Sequence, residues 1–327
     1  MLEPGPPIRI ETSKPVLLVV VDTEEEFDWA GGFDRGNTSV RNIGNLDRIQ
    51  EVFDAFGVRP TYLVDYPVAT TPAAARVLRA YAAEGRAEIG AHLHPWVNPP
   101  HEEEVGPRNS YAGNLPPDLE RRKLSVLSDA IASAFGARPA VYRAGRHGVG
   151  AATARILEEL GYEVDLSVRP RISFRDDGGP DFLRFGPEPY WFGRARRLAD
   201  APGTAAWVGR RPLAARALRP LNRGLLSGAF SRLRALERLK LTPEGVAMPD
   251  LRRLTLELLG RGQRVFVFDF HSPSATPGCT PYVRNREDLS VFLDRCRRYC
   301  EFFLGEAGGV ASTPLAWKRA AEAAAGA

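Results

Sequence analysis

The sequence predicts an α/β fold whose mainly parallel sheet is either covered by helices on both faces or closed into a barrel. Short apolar or β-branched runs alternate along the 327 residues with polar loops and with stretches of helical periodicity. Several of these runs lead directly into polar side chains that can act in catalysis or bind a metal. Barrel enzymes build their active sites at the carboxyl ends of strands. The polar side chains at the strand ends therefore favour the closed barrel over an open sheet.

The first half of the chain contains the clearest alternation. Strands are predicted at residues 16–21, 61–64, 88–93, 140–142 and 162–168. Helices are predicted between them, at residues 45–56, 72–84, 117–135 and 151–160. Gly161 follows the last of these helices, in the position where a glycine often ends a helix in the left-handed conformation. We therefore expect repeated strand–helix units.

Residues 170–247 interrupt this rhythm and are predicted to form an insertion. One or two strands are expected within 182–207, whereas 194–240 holds twelve arginines or lysines against two acids. Apolar residues recur at about helical spacing in this basic part, from Leu213 to Leu239. This basic segment has two interpretations. It is a helical insertion whose basic face is solvated, or it binds anionic lipid or a lipid-linked phosphate at a membrane surface. A helix at 249–259, a strand at 265–268 and a helix at 288–303 follow.

A pair of histidines is the strongest indication of a metal site. His92 and His94 share one face of a predicted strand, with Cα atoms about 6.5–7 Å apart, so their rings can converge on one ion. A catalytic zinc needs a third protein ligand, and Asp22 and Glu24 share a face at the end of the first strand. One carboxylate on the metal and the other as a base would explain that pair. Glu25 is interpreted as part of a solvated acidic loop, as is Asp28.

Three further strand ends carry candidate groups. Arg143 is either a surface arginine or the partner of a carboxylate. Asp165 alternates with apolar residues on its strand. His271 follows a nearly all-apolar strand, which predicts a dry pocket and suits either proton donation or a core histidine bonded to a carbonyl. His101 and His147 are not assigned as ligands, although His147 is expected near the pocket.

Composition excludes several other classes. The net charge of +4 is too small to indicate a nucleic-acid-binding protein. The three cysteines have no disulfide-framework spacing, and Cys296 and Cys300 are interpreted as semi-buried thiols. The first residues lack the pattern of a secretory signal, and the run at 16–21 is too short to span a bilayer. The expectation is a cytoplasmic protein.

Four motifs in this order resemble the polysaccharide deacetylase superfamily, also called NodB-homology proteins or carbohydrate esterase family four. They are VVVDTEE at 19–25, HLHPW at 92–96, YRAGRHG at 142–148 and FDFHSPS at 268–274. The likeness covers about 16–170 and 247–315. It implies a distorted (β/α) barrel of about seven strands, one domain over residues 1–327 with 170–247 inserted in it, and a site that requires a divalent metal, zinc by preference.

The resemblance also implies roles for individual residues. Glu24, His92 and His94 look like the metal ligands, and Asp22 looks like the catalytic base. The remaining catalytic residues are Arg143, which would position the base, His271 as the general acid, and Asp165 as the partner of that acid. The motifs differ from the family pattern in three places: Asp-Thr-Glu replaces an adjacent aspartate pair, one residue rather than three separates the histidines, and the arginine motif lacks its proline.

The expected activity is removal of the N-acetyl group from a sugar, a polysaccharide precursor or a lipid-linked sugar. A subgroup with similar motifs is associated with bacterial cell-surface polysaccharide genes, which implies a substrate class. Three alternatives stay open: a hydrolase of another non-peptide C–N amide bond on the same scaffold, a non-catalytic glycan-binding or assembly protein with a degenerate site, and, last, a barrel amidohydrolase that uses the His-x-His pair.

Overall fold

The computed structural model describes residues 3–9, 14–29, 31–194, 198–209 and 237–325, and it confirms the distorted (β/α) barrel. The strands are β1 Val16–Thr23, β2 Thr61–Val64, β3 Glu88–Leu93, β4 Val141–Ala144, β5 Val164–Asp165, β6 Tyr190–Phe192, β7 Leu198–Asp200, β8 Ala205–Val208, β9 Glu237–Lys240, β10 Val265–His271 and β11 Val310–Ser312.

The main sheet curls through the strand order β10-β1-β2-β3-β4-β5-β7-β6. The first seven strands of that order run parallel, β6 is antiparallel at the edge, and β11 pairs with the start of β1. Strands β8 and β9 form a separate antiparallel ribbon. The ribbon lies against β10, because the carbonyl of Leu241 accepts a hydrogen bond from the amide of Asp269. The ribbon therefore lies beside the strand that carries His271.

Helices cover the outer face of the sheet and return the chain between parallel strands. The connection from β5 to β7 differs, because its described residues contain a 3-10 turn and β6 instead. They are α1 Asp47–Asp54, α2 Tyr66–Thr70, α3 Pro72–Ala83, α4 Pro117–Phe135, α5 Thr153–Leu160, α6 Met248–Gly260, α7 Arg286–Cys300 and α8 Pro314–Ala325. Helix α5 ends as predicted, with Gly161 at φ +82° and its amide bonded to the carbonyl of Glu158. Short 3-10 turns lie at Arg41–Asn45, Ala112–Asn114, Gly145–His147, Arg175–Asp177 and Ser272–Ala275, and a π turn at Glu301–Glu306 extends α7.

Alternation along the strands separates two buried faces. Alternate residues of the strands and one tryptophan form the apolar inside of the barrel: Val16, Leu18, Val20, Leu63, Val141, Val164, Leu166, Ala199, Ala201, Val265, Val267 and Trp317. The intervening residues, such as Leu17 and Phe268, belong to the larger core that packs against the helices. Since side chains alternate with period two, Asp22, Arg143 and His271 continue the inner face at the carboxyl ends of their strands.

The amino-terminal end of the barrel is closed by α8. Trp317 is 2% exposed and packs in the inner cluster. The hydroxyl of Thr313, just before α8, donates to Glu88 at the start of β3, and Lys318 pairs with Glu163 just before β5. One end of the barrel is thus filled by apolar packing, and polar side chains are concentrated at the other.

The structure differs from the sequence-based elements in several places. Strand β5 has two residues rather than the seven predicted at 162–168, and helices α2 and α8 and strand β11 were not predicted. Three strands, β6 to β8, lie where one or two were expected within 182–207, and β9 adds another at the end of the insertion. The basic apolar pattern of 210–236 lies outside the described residues. Among the residues that the structure describes, none of the helices has the length and apolar character that crossing a bilayer requires.

Candidate active site

The carboxyl ends of four strands bring six of the seven predicted site residues together, all except Asp165. Asp22 on β1 is the register partner of His271 on β10, and His92 on β3 is the register partner of Arg143 on β4. Glu24 and His94 follow directly after β1 and β3. All six side chains except that of His271 are almost wholly buried. The sequence predicted this grouping because parallel strands end at one edge of a sheet.

Glu24, His92 and His94 form a compact cluster that fits a divalent metal. Oε2 of Glu24 lies 3.3 Å from Nε2 of His92 and 3.5 Å from Nε2 of His94. The other nitrogen of each ring is engaged: Nδ1 of His92 with the carbonyl of Arg143 at 3.1 Å, and Nδ1 of His94 with Glu25 at 2.8 Å. Such contacts fix the ring so that the Nε2 lone pair faces the cluster, as in zinc sites. Two imidazoles and one carboxylate match zinc's preferred ligands.

Glu25 is a site residue that sequence reasoning missed, because it was interpreted as part of a solvated loop. It is fully buried and accepts hydrogen bonds from His94 and from the indole of Trp96, at 2.9 Å. Its amide donates to Asp65 at 2.7 Å. Burial raises the pKa of Glu25 to about 7, and burial beside Glu25 raises the pKa of Asp65. The apolar run before Asp22 predicted burial only up to that residue.

Glu25, Asp65 and His94 form a second group whose ligand atoms lie within 4.8 Å of one another, close enough to hold a metal. It uses Nδ1 of His94, which already bonds Glu25, and Asp65 already caps α2 by accepting from the amide of Val68. These carboxylates therefore orient His94 and the loop after β2, and the Nε2 side of the ring is the better metal site.

Asp22 is held as an ionised carboxylate. The guanidinium of Arg143 donates to both of its oxygens, at 2.9 and 3.1 Å. Burial opposes the charge, but Arg143 together with His92, His271 and His147 outweighs it and keeps the pKa of Asp22 well below its ordinary value. Arg143 in turn lies 3.3 Å from Asp269, which also binds Arg169 at 2.8 Å. Asp269 precedes His271 by two residues on β10, so alternation places both on the inner face, a signal that was available in the sequence.

His271 carries its proton at neutral pH. Its Nδ1 lies 2.8 Å from Glu244, whose other oxygen accepts the His271 amide, and its Nε2 lies 4.0 Å from Asp22. Burial favours the neutral ring, but Glu244, Glu24 and Asp22 prevail and raise the pKa of His271 to about 10. The side chain of His271 is 29% exposed, so the prediction that it lies in a dry pocket is wrong.

The expected contact between Asp165 and His271 is not formed, and Glu244 takes that place. Asp165 bonds instead to the amide and hydroxyl of Ser167. Val164 and Leu166 belong to the inner apolar cluster, so alternation turns Asp165 to the opposite face of the sheet. Burial raises the pKa of Asp165 to about 6. Sequence reasoning saw the alternation but could not tell which of the two faces would be the inner one.

The turn after β4 brings backbone close to the metal cluster. A Cβ atom on Gly145 would lie 2.3 Å from Cδ2 of His94 and 2.6 Å from the carbonyl oxygen of Leu93. No side chain fits at such distances, so glycine is required for the turn to pass His94.

The next two residues of this turn have positive φ angles, 53° for Arg146 and 61° for His147, which non-glycine residues adopt only when their surroundings impose it. Nδ1 of His147 contacts the carbonyl of Ser167 at 3.1 Å, and its Nε2 accepts from Arg169 at 3.2 Å. Burial holds the pKa of His147 well below its ordinary value, so the ring is neutral. It lies near the pocket as expected and supports Arg169.

Aromatic side chains line the open side of the site. Trp29 is 49% exposed and packs edge-on against His271 and Tyr282, with ring centroids 6.4 and 6.2 Å apart. Phe33 packs nearby under the guanidinium of Arg146. Exposed aromatic faces beside polar groups are suited to contact with the apolar faces of a ligand ring.

The site as a whole combines three chemical elements: a ligand cluster that fits a cation, the ionised carboxylate of Asp22 and the protonated imidazole of His271. Together these groups can hydrolyse a polarised carbonyl compound.

Two solved structures share this fold. A protein from Mycobacterium smegmatis assigned as a polysaccharide deacetylase matches with a TM-score of 0.58 and 19% identity, over 100% of this chain and 96% of its own. The Puue allantoinase matches with a TM-score of 0.55 and 16% identity, over 98% of this chain and 94% of its own. No protein-family model matches the sequence, and no curated protein does either.

Proposed function

We propose that the chain is a metal-dependent hydrolase that removes the acetyl group from the nitrogen of an N-acetylated sugar. The observation that carries this proposal is the convergence of Glu24, His92 and His94 beside a carboxylate held by Arg143 and a protonated His271. The fold shared with the Mycobacterium smegmatis protein supports the same class of reaction. The resemblance of the four sequence motifs supports it independently of the structure.

Glu24, His92 and His94 are the residues that would hold the metal. When bound, a divalent ion such as zinc supplies a Lewis acid for the amide carbonyl and makes a coordinated water more acidic. Asp22 acts as the base and takes a proton from the attacking water. Arg143 keeps Asp22 ionised and fixes both of its oxygens, so the carboxylate is in the right state and orientation before substrate arrives.

His271 is the general acid in this proposal. An amine leaves poorly unless it is protonated, so the reaction needs a proton donor beside the scissile bond. His271 retains its proton at neutral pH, and Glu244 orients its ring so that Nε2 is directed toward Asp22 and the reacting atoms. Trp29 and Tyr282 would contact the sugar ring at the open side of the site.

A second candidate is hydrolysis of a small cyclic or linear amide on the same scaffold. The likeness to the Puue allantoinase favours this alternative, with a TM-score near that of the first structure. An assay panel separates the two. Acetate release from N-acetylglucosamine and its oligomers supports the deacetylase, whereas turnover of allantoin or a lactam without acetate supports the alternative.

The metal ligands can be tested by elemental analysis of the purified protein. We expect one divalent ion per chain in the wild type and a loss of at least about tenfold in affinity in His92→Ala and in His94→Ala. His101→Ala is the matched control, because that histidine is exposed and lies outside the cluster. A wild-type protein that binds no metal would favour the non-catalytic glycan-binding alternative, and unchanged metal in both variants would remove these histidines as ligands.

A further inference from the structure

Three basic side chains lie together beside His271 without a full set of acidic partners. Arg238 and Lys240 alternate with Leu239 on β9, and Leu239 is buried in the core. That face of the ribbon is turned to α6, because Glu237 pairs with Arg253 of the helix. The two cations therefore share the opposite face of the ribbon. The Arg238 guanidinium donates to the carbonyl of Pro170 at 2.7 Å, which brings it next to Arg169. The three residues form what we call the basic cluster.

The basic cluster borders the proposed catalytic groups. The carbonyl of Leu241, the residue after Lys240, accepts from the amide of Asp269 on β10. The guanidinium of Arg169 contacts the side chain of that same aspartate at 2.8 Å. Glu244, which orients His271, follows Lys240 by only four residues along the chain. A ligand held by the basic cluster would therefore lie next to a substrate bound at His271.

The acids near the basic cluster are already engaged. Asp269 is shared between Arg169 and Arg143, and Glu244 accepts from His271 and from Ser274.

The Arg238 Nε atom is buried without a hydrogen-bond partner. Lys240 forms no hydrogen bond or ion pair with a described residue, and Asp269 and Glu244 act on its ammonium only through longer-range attraction. Burial and the nearby charge of Arg169 lower the pKa of Arg238 to about 10 and also lower that of Lys240. Half-buried cations that repel one another are costly to assemble unless an anion joins them.

We propose that Arg169, Arg238 and Lys240 bind an anionic group, a phosphoester or a carboxylate, that the substrate carries near its acetamide. The inference rests on the proposed deacetylase function and narrows its substrate class to negatively charged N-acetylated sugars. Guanidinium groups match the paired oxygens of both anions, and a lysine adds a compact charge. The pairing also removes the repulsion among the three cations, so binding energy and charge balance favour the same ligand.

The test measures binding by calorimetry on the full-length protein. The probes are N-acetylglucosamine, N-acetylglucosamine 1-phosphate and N-acetylmuramic acid, which carry no charge, a phosphate and a carboxylate. We expect at least one anionic sugar to bind about tenfold more tightly than the neutral sugar, and the tighter of the two identifies the group. Equal affinity for all three would overturn the proposal.

Variants of Lys240 and Arg238 show whether this preference comes from the basic cluster. Lys240→Gln and Arg238→Gln should each reduce the preference about tenfold, whereas Lys240→Arg should retain it. Arg298→Gln is the matched control, since that arginine is 58% exposed on α7 and lies 3.7 Å from Asp294. A preference that survives in both glutamine variants, as phosphate binding at the metal site would, also overturns the proposal.

Acetate release then separates this inference from the proposed function. A protein that deacetylates sugars without an anionic preference contradicts only the basic-cluster assignment. A protein that binds anionic sugars through Lys240 but releases no acetate from any of them contradicts only the deacetylase.

Discussion

At the scale of single residues, the acid of the site depends on Glu244. We expect Glu244→Gln to lower kcat by about 10–100-fold, because the neutral amide no longer stabilises the imidazolium of His271. Removing this carboxylate also lowers the pKa of His271, so the rate should begin to fall at a lower pH than in the wild type. A pH–rate profile of acetate release measures both effects.

Asp165→Asn provides the contrast for this prediction. Asp165 faces away from the inside of the barrel, so its loss should change kcat less than the loss of Glu244 and should leave the alkaline limb of the profile in place. A larger effect in Asp165→Asn than in Glu244→Gln would restore the sequence-based assignment of Asp165 as the partner of the acid.

Gly145 provides a second test at this scale. In Gly145→Ala the new methyl group would lie 2.3 Å from the ring of His94, so the ring must move out of the metal cluster. We expect metal affinity to fall about tenfold or more, measured by competition with a chelator. Gly260→Ala is the control: a Cβ there meets open space, so metal affinity should not change. Full metal affinity in Gly145→Ala would show that the turn can yield instead.

Sequence patterns predicted the residues whose position follows from a strand end, and they missed those positioned by contacts from elsewhere in the chain. Asp22, His92, Arg143 and His271 each lie near the carboxyl end of a recognisable strand, so their convergence could be expected. Glu244 lies in a turn after β9 that follows 210–236, and no local pattern indicates that it reaches His271. Tertiary contacts of this kind have no signature in a single sequence.

At the scale of secondary-structure elements, a buried carboxyl joins α4 to α5. Glu120 on α4 is 2% exposed and accepts a hydrogen bond from Thr153 at the start of α5. Burial raises the pKa of Glu120 to about 7, against 4.5 for an unperturbed glutamate. The folded state thus binds this proton more tightly than the unfolded chain. The associated stability is fully present below pH 4.5 and is lost as pH rises through 7.

Glu120→Gln removes that titration while it retains an acceptor for Thr153. Relative to the wild type, we expect the variant to gain about 2 kcal/mol in the free energy of unfolding between about pH 5.5 and about pH 8. Urea denaturation at both pH values measures the difference. Glu104→Gln, at an exposed position, is the control. A difference between Glu120→Gln and wild type that does not vary with pH would contradict the raised pKa.

Helices and strands with strong local patterns were also predicted best. Helix α4 and strands β2 and β3 match their predicted bounds, because each combines a clear apolar period with flanking proline, glycine or charged residues. The predicted length of β5 was too long. The apolar alternation of 162–168 continues on both sides of the two residues that pair with neighbouring strands. The ribbon of β8 and β9 joins segments on either side of 210–236, a pairing that local periodicity cannot indicate.

At the scale of the whole molecule, the barrel has one end that stabilises it and one that is polar and open to ligands. The inner face is apolar from the start of β1 to Val20 and becomes charged at Asp22. Helix α8 covers the apolar end, while loops after the strands surround the polar end. In barrels of this kind, residues at the amino-terminal end contribute to stability and those at the carboxyl-terminal end to function.

Two tryptophans at opposite ends of the barrel allow this division to be tested. Trp317→Ala removes a fully buried ring from the inner cluster, so the free energy of unfolding should fall by about 3–5 kcal/mol while KM of the folded protein changes little. Trp29→Ala removes an exposed ring beside His271, so stability should change by less than about 0.5 kcal/mol. Its KM for the sugar should rise about fivefold through lost ring contact. Urea denaturation and steady-state kinetics on both variants measure the four quantities. A rise in KM for Trp317→Ala as large as that for Trp29→Ala would mean that the two ends of the barrel are coupled, because the apolar interior would then transmit a loss of packing to the residues that bind substrate.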